Sequence, residues 1–414
     1  MAKASAELTF ETLQFRDAGE SSEVVDVTFQ RIFGFSIPKT ELKRIAPFTV
    51  AKNSITFGTS EKSARMKFSS LLAQHFTYLK NKLNGKETIY VHQNSGIPLI
   101  GTLAFGIIDR NTNLIEVRPV TSCNIRCTYC SVDEDVRPTD FVVEADYLVQ
   151  EFKKVAEWKQ CKDLDCHINS QGEPFLYNDM VALVKGIAGI KGVTNISINT
   201  NGTLLTPANI KALAEAGLTR INLSLNAYEP ELAKKIADAP YNIAHILEMA
   251  REVTKHMNLL IAPVLIPGQN EAEMGKIIEF AKTLKNPDGK MPVVGIQNFL
   301  WYKYGRNPAE SMPWENFYSF LRDLEQKHGV KLIVDELDFN IEKTKQLPKP
   351  FQKGDVVKAK VISAGRLHNE TLCVAKDRCI GIIAKYDPSL RGKTINVKIV
   401  KDKHNIYVGE RTGK

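Results

Sequence analysis

The 414-residue sequence predicts an α/β fold, built around a partial (βα)6 barrel with a smaller domain on either side. Six strand-like segments alternate with helical ones between residues 114 and 299, and several of these strands have one apolar and one polar face. A proline-rich linker, LPKPFQKG, then precedes a run of short strands. We therefore predict an N-terminal α+β domain (1–111), the barrel (112–346) and a C-terminal small β-barrel (351–414).

Composition limits the classes of protein that the chain can represent. Hydrophobic residues make up 43% and charged residues 25%, which excludes a disordered or collagen-like chain. The apolar run at 259–266 is too short to cross a bilayer. The N-terminal segment MAKASAELTFETLQF lacks the apolar core of a signal peptide. We therefore expect a cytoplasmic protein without a membrane partner.

The N-terminal domain is predicted from mixed strand and helix patterns. ELTFETLQF (7–15) alternates like a strand, and NSITFG (53–58) and ETIYVH (87–92) also have the composition of strands. Between the last two, Phe68, Leu72 and Phe76 recur at helical spacing. An α+β unit follows from this mixture.

The barrel is predicted from six strands separated by helical stretches. They are LIEVRPV (114–120), DLDCHIN (163–169), TNISINT (194–200), RINLSLN (220–226), LLIAPVLI (259–266) and VVGIQNF (293–299). In the fourth, Ile221 and Leu223 share one face, and Asn222 and Ser224 share the other. Strands covered by helices on both faces are continuously apolar. The alternation therefore favours a barrel with a polar, ligand-filled interior.

A cysteine motif lies just after the first barrel strand, at the end of a barrel where active sites form. SCNIRCTYC places Cys123, Cys127 and Cys130 in a C-x3-C-x2-C spacing. Three thiolates hold three irons of a [4Fe–4S] cluster and leave the fourth iron open. The alternatives are a structural zinc, which requires a fourth ligand that is not nearby, and a buried structural trio. We predict the cluster.

This motif, on the first loop of six βα units, resembles that of the radical S-adenosylmethionine (SAM) superfamily over about residues 112–335. The resemblance implies that the open iron chelates the amino and carboxylate groups of SAM. It further implies that one electron cleaves the sulfonium and releases a 5′-deoxyadenosyl radical. An electron donor such as a flavodoxin or ferredoxin is implied as a partner.

The same resemblance implies the residues that contact SAM. They are Tyr129 and Ile266 for adenine, Gly172 and Glu173 for the amino group, and Ser224 and Asn226 for ribose and carboxylate. Two positions depart from the pattern, since Gln171 and Val264 stand where the superfamily carries glycine. The segment TNGT (200–203) is predicted to be only a turn.

Of the other cysteines, Cys166 is expected to be a small buried hydrophobic residue on the helix-covered face of the sheet, the role of Cys161 stays open, and a reactive thiol among them is an alternative. Cys373 and Cys379 are expected in adjacent strands of the C-terminal barrel. An acid–base pair is predicted to be structural. Glu116 and Arg118 are expected to form an ion pair inside the large barrel.

The C-terminal 64 residues carry the whole positive excess, with 14 Lys and Arg against 6 Asp and Glu, whereas the first 350 residues hold 41 of each. Five short strands there predict a barrel of the OB type. FQKGDVVKAKVIS and RGKTINVKIVKDKHNIYVG resemble the TRAM domain, an RNA-binding barrel. RNA is therefore the predicted partner, and the lysines placed to neutralise its phosphates are Lys358, Lys360, Lys393, Lys398, Lys401 and Lys403.

These observations together predict a radical SAM enzyme that modifies RNA, with tRNA favoured. Two alternatives stay open: a radical SAM enzyme that acts on a protein or small metabolite, and a non-enzymatic RNA-binding iron–sulfur protein. Residues 1–122 contain no cysteine, which argues against the second cluster of the methylthiotransferases. If residues 351–414 are only an RNA-binding appendage, cluster assembly and SAM cleavage should not require them.

Overall fold

The computed structural model of the chain describes residues 5–19, 21–169 and 171–413. They form two compact units, one that runs up to Val91 and includes Thr139–Val142, and one that comprises the remaining residues. Residues 92–111, which the sequence assigned to the first domain, lie in the second unit. They do so because strand 106–109 pairs with the strand that precedes the cysteine motif.

The described residues up to Val143 form the following strands and helices, given in chain order. They are β1 (Ala6–Thr9), β2 (Leu13–Asp17), β3 (Val24–Phe29), β4 (Phe33–Pro38), α1 (Lys39–Ile45), β5 (Phe48–Val50), β6 (Ser54–Phe57), α2 (Glu61–His75), β7 (Lys80–Asn81), β8 (Glu87–Val91), β9 (Gly106–Asp109), β10 (Leu114–Arg118) and β11 (Thr139–Val143).

The first unit combines helices with two sheets, ordered β1-β6-β5 and β11-β8-β7-β4-β3-β2. The segment ELTFETLQF, predicted as one strand, forms two, because the chain leaves β1 after Thr9 and begins β2 at Leu13. Helix α2 begins after Ser60, whose side chain accepts a hydrogen bond from the N–H of Ser63. Its buried Phe68 packs against Phe57, with ring centroids 5.4 Å apart. The unit therefore has the α+β character expected.

The second half of the chain continues with helices and strands in alternation. They are α3 (Ala145–Lys159), β12 (Leu164–Ile168), α4 (Met180–Ala188), β13 (Val193–Thr200), α5 (Pro207–Ala216), β14 (Arg220–Leu223), α6 (Pro230–Ala237), α7 (Ile243–Val253), β15 (Asn258–Ile261), β16 (Val264–Leu265), α8 (Glu271–Lys282), β17 (Val293–Val294), β18 (Gln297–Asn298), α9 (Trp314–His328), β19 (Val356–Ala364), β20 (Glu370–Ala375), β21 (Arg378–Ile383), β22 (Thr394–Lys401) and β23 (Val408–Arg411).

A seven-stranded sheet organises the second unit. Its order is β17-β15-β14-β13-β12-β10-β9, in which six parallel strands follow the chain and β9 joins β10 antiparallel. Two of the predicted strands are interrupted. Pro263, which lacks an N–H, separates β15 from β16, and Gly295 separates β17 from β18. The detached pieces β16 and β18 pair with each other.

One face of this sheet is polar, as the alternation predicts. Ring Nδ1 of His167 lies 2.8 Å from the hydroxyl of Ser197 on the neighbouring strand. Asn222 donates to the amide oxygen of Asn199 at 2.9 Å on the next pair. Glu116 forms the expected ion pair with Arg118 at 2.6 Å and a second one with Arg110 at 2.6 Å. The opposite face carries the buried Ile115, Cys166 and Ile198.

The C-terminal strands close into a barrel with the order β19-β20-β21-β23-β22. Its core contains Val361, Ile380 and Val397, and the adjacent strands β20 and β21 carry the buried Cys373 and Cys379 as predicted. The N–H of Cys379 donates to the carbonyl of Ile100 at 2.8 Å, which joins this barrel to the segment before β9. Among the described helices, we find none with the length and apolar character needed to span a bilayer.

Candidate active site

The three cysteines of the motif meet at one pocket. Cys123, Cys127 and Cys130 lie on the loop that follows β10 and line a cavity of about 420 Å³ at the carboxyl ends of the parallel strands. The loop is fixed by its backbone, since the N–H groups of Arg126 and Thr128 donate to carbonyls at the end of α6 at 3.0 and 2.9 Å. The three cysteine thiols therefore lie together on one loop, which backbone hydrogen bonds hold in place.

The segment YKYGR (302–306) holds the same loop by its backbone. The N–H of Arg306 donates to the carbonyl of Cys130 at 3.0 Å. A side chain at Gly305 would place its Cβ 2.7 Å from that carbonyl oxygen, so this close approach requires glycine. Tyr302 of this segment lines the pocket.

The chemistry of the three thiols suits a metal cluster. Burial raises the pKa of Cys123 and Cys130, and it raises the pKa of Cys127 to about 12, with the nearby Cys130 adding to the shift. The thiols alone are therefore neutral, and binding of iron must displace their protons. No three His, Cys, Asp or Glu side chains in the described chain converge on a single metal ion. In a [4Fe–4S] cluster each thiolate binds a different iron.

The QGEP segment packs directly on the chain that precedes Cys123. A Cβ at Gly172 would overlap the carbonyl oxygens of Thr121 and Ser122, so only glycine fits there. The N–H of Glu173 donates to the carbonyl of Ser122 at 2.8 Å. The segment is thereby held beside the cysteine loop, as its predicted role in SAM binding requires.

The carboxylate of Glu173 lines the pocket although the residue is only 1% exposed. It accepts hydrogen bonds from the Thr200 hydroxyl at 2.7 Å, the Asn201 N–H at 2.8 Å and the Phe175 N–H at 3.0 Å. Burial raises the pKa of Glu173 to about 7, against the effect of these donors. A cation such as an ammonium group in the pocket would favour the ionised form.

The TNGT segment was predicted to be only a turn, and here the sequence reasoning missed a function. Thr200 and Asn201 line the pocket and hold Glu173. Asn201 also donates to Asn124 of the cysteine loop at 3.0 Å. The available signal was position, because the turn follows β13 at the same sheet edge as the cysteine motif.

The remaining predicted SAM contacts fall into two groups. Tyr129 and Ser224 line the pocket with Gly172 and Glu173. Asn226 instead donates to the Tyr129 hydroxyl at 2.8 Å and accepts from the Val264 N–H at 2.9 Å. Ile266 is fully buried, and its N–H donates to the side chain of Asn270 at 2.7 Å. Asn226 and Ile266 are not among the described residues that line the pocket, and their SAM contacts stay predictions.

Comparison with known proteins decides the family. The family model of the radical SAM superfamily matches residues 117–281, which include the cysteine motif, QGEP and TNGT. The uncharacterised protein MJ0103 of Methanocaldococcus jannaschii is 42% identical over 358 residues, which are 80% of this chain and 82% of that protein. The chain belongs to the radical SAM superfamily.

Other relatives of this radical SAM protein match over a shorter stretch. GTP 3′,8-cyclase of Limosilactobacillus fermentum is 35% identical over 178 residues, 42% of this chain and 52% of the cyclase. The chain thus spans about half the length of that relative. Among solved structures, SuiB of Streptococcus suis bound to its precursor peptide SuiA has a TM-score of 0.42 at 13% identity, over 79% of this chain and 72% of that chain.

Members of the radical SAM superfamily are enzymes that use a [4Fe–4S] cluster and SAM, and they need a reductant. The alternative of a non-enzymatic iron–sulfur protein is therefore wrong. The site fits both groups: Cys123, Cys127 and Cys130 would hold three irons, and the pocket has the volume of a small-molecule site. When bound and reduced, the pair supplies a 5′-deoxyadenosyl radical. Glu173 would orient SAM through its ammonium group.

The lysines singled out in the C-terminal barrel are all exposed; they are Lys358, Lys360, Lys393, Lys398, Lys401 and Lys403. Lys358 and Lys360 lie on β19, whose antiparallel neighbour β22 carries Lys398 opposite Val356. Because these positions alternate with buried ones, the three side chains share the outer face of the barrel.

Proposed function

We propose that this radical SAM enzyme modifies RNA, with tRNA as the favoured substrate. In this proposal the six βα units form the partial barrel of the superfamily, and the closed C-terminal barrel is a TRAM-like module that binds RNA. The ligands of the cluster are Cys123, Cys127 and Cys130, and the SAM-binding residues are Tyr129, Gly172, Glu173, Ser224, Asn226 and Ile266. A flavodoxin or ferredoxin is the proposed electron donor.

The observation that carries the RNA proposal is the position of the positive charge. The first 350 residues hold equal numbers of acidic and basic side chains, whereas the last 64 hold the whole excess of eight. On the barrel, Lys358, Lys360 and Lys398 stand together on the outer face of two paired strands. Such an array neutralises successive phosphates and releases their counterions.

The pocket wall also suits a nucleobase. Asn169, Asn199 and Asn298 line it beside the three cysteines. A side-chain amide both donates and accepts hydrogen bonds, and therefore it can pair with the polar edge of a base that has left its stack. The polar interior and the basic barrel together favour a nucleic acid over a protein substrate.

The test compares RNA nucleosides by mass spectrometry in cells that have or lack the gene. We expect at least one modified nucleoside to disappear without the gene and to return with the wild-type gene. Complementation with a Cys127→Ala variant should not restore it, because the cluster would lose a ligand. Identical nucleoside profiles in all strains would refute the RNA proposal while leaving the radical SAM activity intact.

A free nucleotide is the second candidate substrate. It is favoured by the similarity of the cluster-bearing half to proteins named GTP 3′,8-cyclase. Reductive cleavage of SAM distinguishes the two candidates: with dithionite as reductant, formation of 5′-deoxyadenosine should accelerate with transfer RNA and not with GTP. Acceleration by GTP alone would favour the free nucleotide.

A further inference from the structure

A buried arginine of the C-terminal barrel contacts two residues that line the active site. Arg366, on the turn between β19 and β20, is only 1% exposed. Its guanidinium donates to the carbonyl oxygen of Gln171 and, at 3.3 Å, to the carboxylate of Glu134. Both of these residues line the pocket that contains the cysteines. A residue 236 positions beyond Cys130 therefore supports the same site.

The Arg366 contacts belong to a network that joins three segments of the site. Glu134 also forms an ion pair with the buried Arg137. Arg137 in turn donates to the carbonyl of Thr121 at 2.5 Å. Thr121 precedes the cysteine motif, Glu134 follows it, and Gln171 begins the QGEP segment. The two arginines therefore link the cysteine loop to the segment that would bind the SAM amino group.

The turn that carries Arg366 is preorganised. The half-buried Glu370 accepts a hydrogen bond from the N–H of Leu367 at 3.1 Å, and its own carbonyl accepts from the N–H of Gly365 at 2.7 Å. A Cβ at Gly365 or Gly381 would overlap the Glu370 side chain, so the glycines allow this tight turn. Burial of a guanidinium is costly unless it is paired, and Arg366 forms an ion pair with the buried carboxylate of Glu134.

We propose that Arg366 is a positioning residue of the radical SAM centre, which holds the QGEP backbone at a fixed place relative to the cluster. Both hydrogen bonds leave the same nitrogen, Nη2, which the rigid planar guanidinium holds in place, whereas a lysine carries its charge on a flexible stem. Small displacements of a binding group cost large factors in function. The proposal rests on the cofactors of the superfamily and not on the RNA proposal.

Electrostatics adds a second consequence for the cluster. Arg366 donates to Gln171 and Glu134, and both of these residues line the same pocket as Cys130, so the positive charge of the guanidinium lies beside the cluster site. A positive charge there stabilises the more negative, reduced cluster. The proposal predicts that full SAM affinity requires residues 351–414, contrary to the expectation from the sequence, because the C-terminal barrel supplies Arg366.

The test uses full-length protein with Arg366→Met and Arg366→Lys, and the exposed Arg391→Met on the same barrel is the matched control. For Arg366→Met we expect unchanged iron content and a roughly tenfold larger dissociation constant for SAM. We also expect a more negative midpoint potential of the cluster in an EPR-monitored titration. In Arg366→Lys the midpoint potential of the cluster should stay close to that of the wild type, whereas the SAM affinity should stay close to that of Arg366→Met. Arg391→Met should match the wild type in both.

A double-mutant cycle with Glu134→Gln separates positioning from general stability. Because Arg366 and Glu134 share one network, their combined effect on SAM affinity should be smaller than the sum of the single effects. Wild-type affinity and potential in folded Arg366→Met protein would overturn the proposal. Equal loss of iron and of thermal stability in both Arg366 variants would also overturn it, since that result indicates a purely structural role.

Discussion

Thr200, the last residue of β13, donates a hydrogen bond of 2.7 Å from its hydroxyl to the carboxylate of Glu173, which follows the neighbouring strand β12. The other carboxylate oxygen accepts from the N–H of Asn201 at 2.8 Å. Burial raises the pKa of Glu173 to about 7, and these donors limit that rise. The turn after β13 thereby favours the ionised carboxylate of Glu173 and fixes its orientation, as binding of a cation requires.

Thr200→Val tests this relationship, because valine keeps the shape of the side chain and removes the donor. A hydrogen bond to a charged group contributes about 1.5–3 kcal/mol, so we expect SAM affinity to fall by about tenfold or more. Binding to the anaerobic, cluster-loaded protein is measured by calorimetry. Thr49→Val, on an exposed position of β5, is the matched control. Unchanged affinity in Thr200→Val would show that Glu173 does not require this donor.

The strands and the cysteine loop could be predicted because their signals are local. Alternation within β14 and the spacing from Cys123 to Cys130 depend on neighbouring residues only. The six parallel strands of the sheet appear in the predicted order. The fifth and sixth predicted strands are each interrupted, at Pro263 and at Gly295.

The supports of the site could not be predicted in the same way. Arg366 and Glu134 are 232 positions apart and meet only because the closed barrel packs beside the cysteine loop. Thr200 and Glu173 are 27 positions apart and meet because parallel strands end at one edge. Neither pair leaves a periodic pattern in the sequence, since each is created by tertiary packing.

Cys127→Ala should abolish the cluster. Each thiolate holds one iron, and the loop carries no fourth cysteine that could replace a lost one. Iron analysis and the visible absorption of anaerobic protein measure this loss, and Cys123→Ala and Cys130→Ala should behave alike. Cys161→Ala is the control, because that thiol lies outside the pocket and contacts the carbonyl of Lys159. Full iron content in Cys127→Ala would refute the assignment.

Replacement of Lys398, Lys401 and Lys403 by alanine should weaken RNA binding and flatten its dependence on salt. All three side chains are exposed at β22 and the turn that follows it. Three lost phosphate contacts would lower the slope of log K against log salt by about 2–3. Filter binding at several salt concentrations measures the slope. The control replaces the exposed Lys153, Lys211 and Lys327, and equal slopes in the two triple variants would contradict a phosphate role for the barrel.

His167 should make the protein less stable in mild acid. Burial lowers the pKa of His167 to about 4, whereas the unfolded chain binds this proton below about 6.5. The unfolded state therefore gains a proton as pH falls from 6.5 towards 4, and the free energy of unfolding decreases in that window. From pH 7 to pH 5 the contribution amounts to about 2 kcal/mol.

Urea unfolding of the iron-free protein at both pH values measures this effect. His167→Gln should lose less stability between pH 7 and pH 5 than the wild type, by about 2 kcal/mol. His368→Gln, at an exposed position on the C-terminal barrel, should follow the wild type. Parallel pH profiles for wild type and His167→Gln would show that the imidazole is not held neutral in the fold.

Gly101→Ala should loosen the attachment of the C-terminal barrel. Gly101 has a φ of +128°, and a Cβ there would overlap the backbone of Cys379. Two segments of the chain are joined at this point by backbone hydrogen bonds, from the N–H of Cys379 to the carbonyl of Ile100 at 2.8 Å and from the N–H of Tyr407 to the carbonyl of Gly101 at 2.9 Å. The segments must move apart to relieve the overlap, which lengthens these hydrogen bonds. We therefore expect the free energy of unfolding to fall by about 2–4 kcal/mol, seen as a lower Tm in calorimetry.

The control for Gly101→Ala is Gly354→Ala, which has a φ of +103° but open space where the Cβ would stand. Left-handed backbone strain is common to both variants, so the difference between them isolates the close approach to Cys379. Because Arg366 is carried on the same barrel, Gly101→Ala should also weaken SAM binding, whereas Gly354→Ala should not. Equal Tm and equal SAM affinity in the two variants would mean that the contact at Gly101 does not hold the barrel against the site.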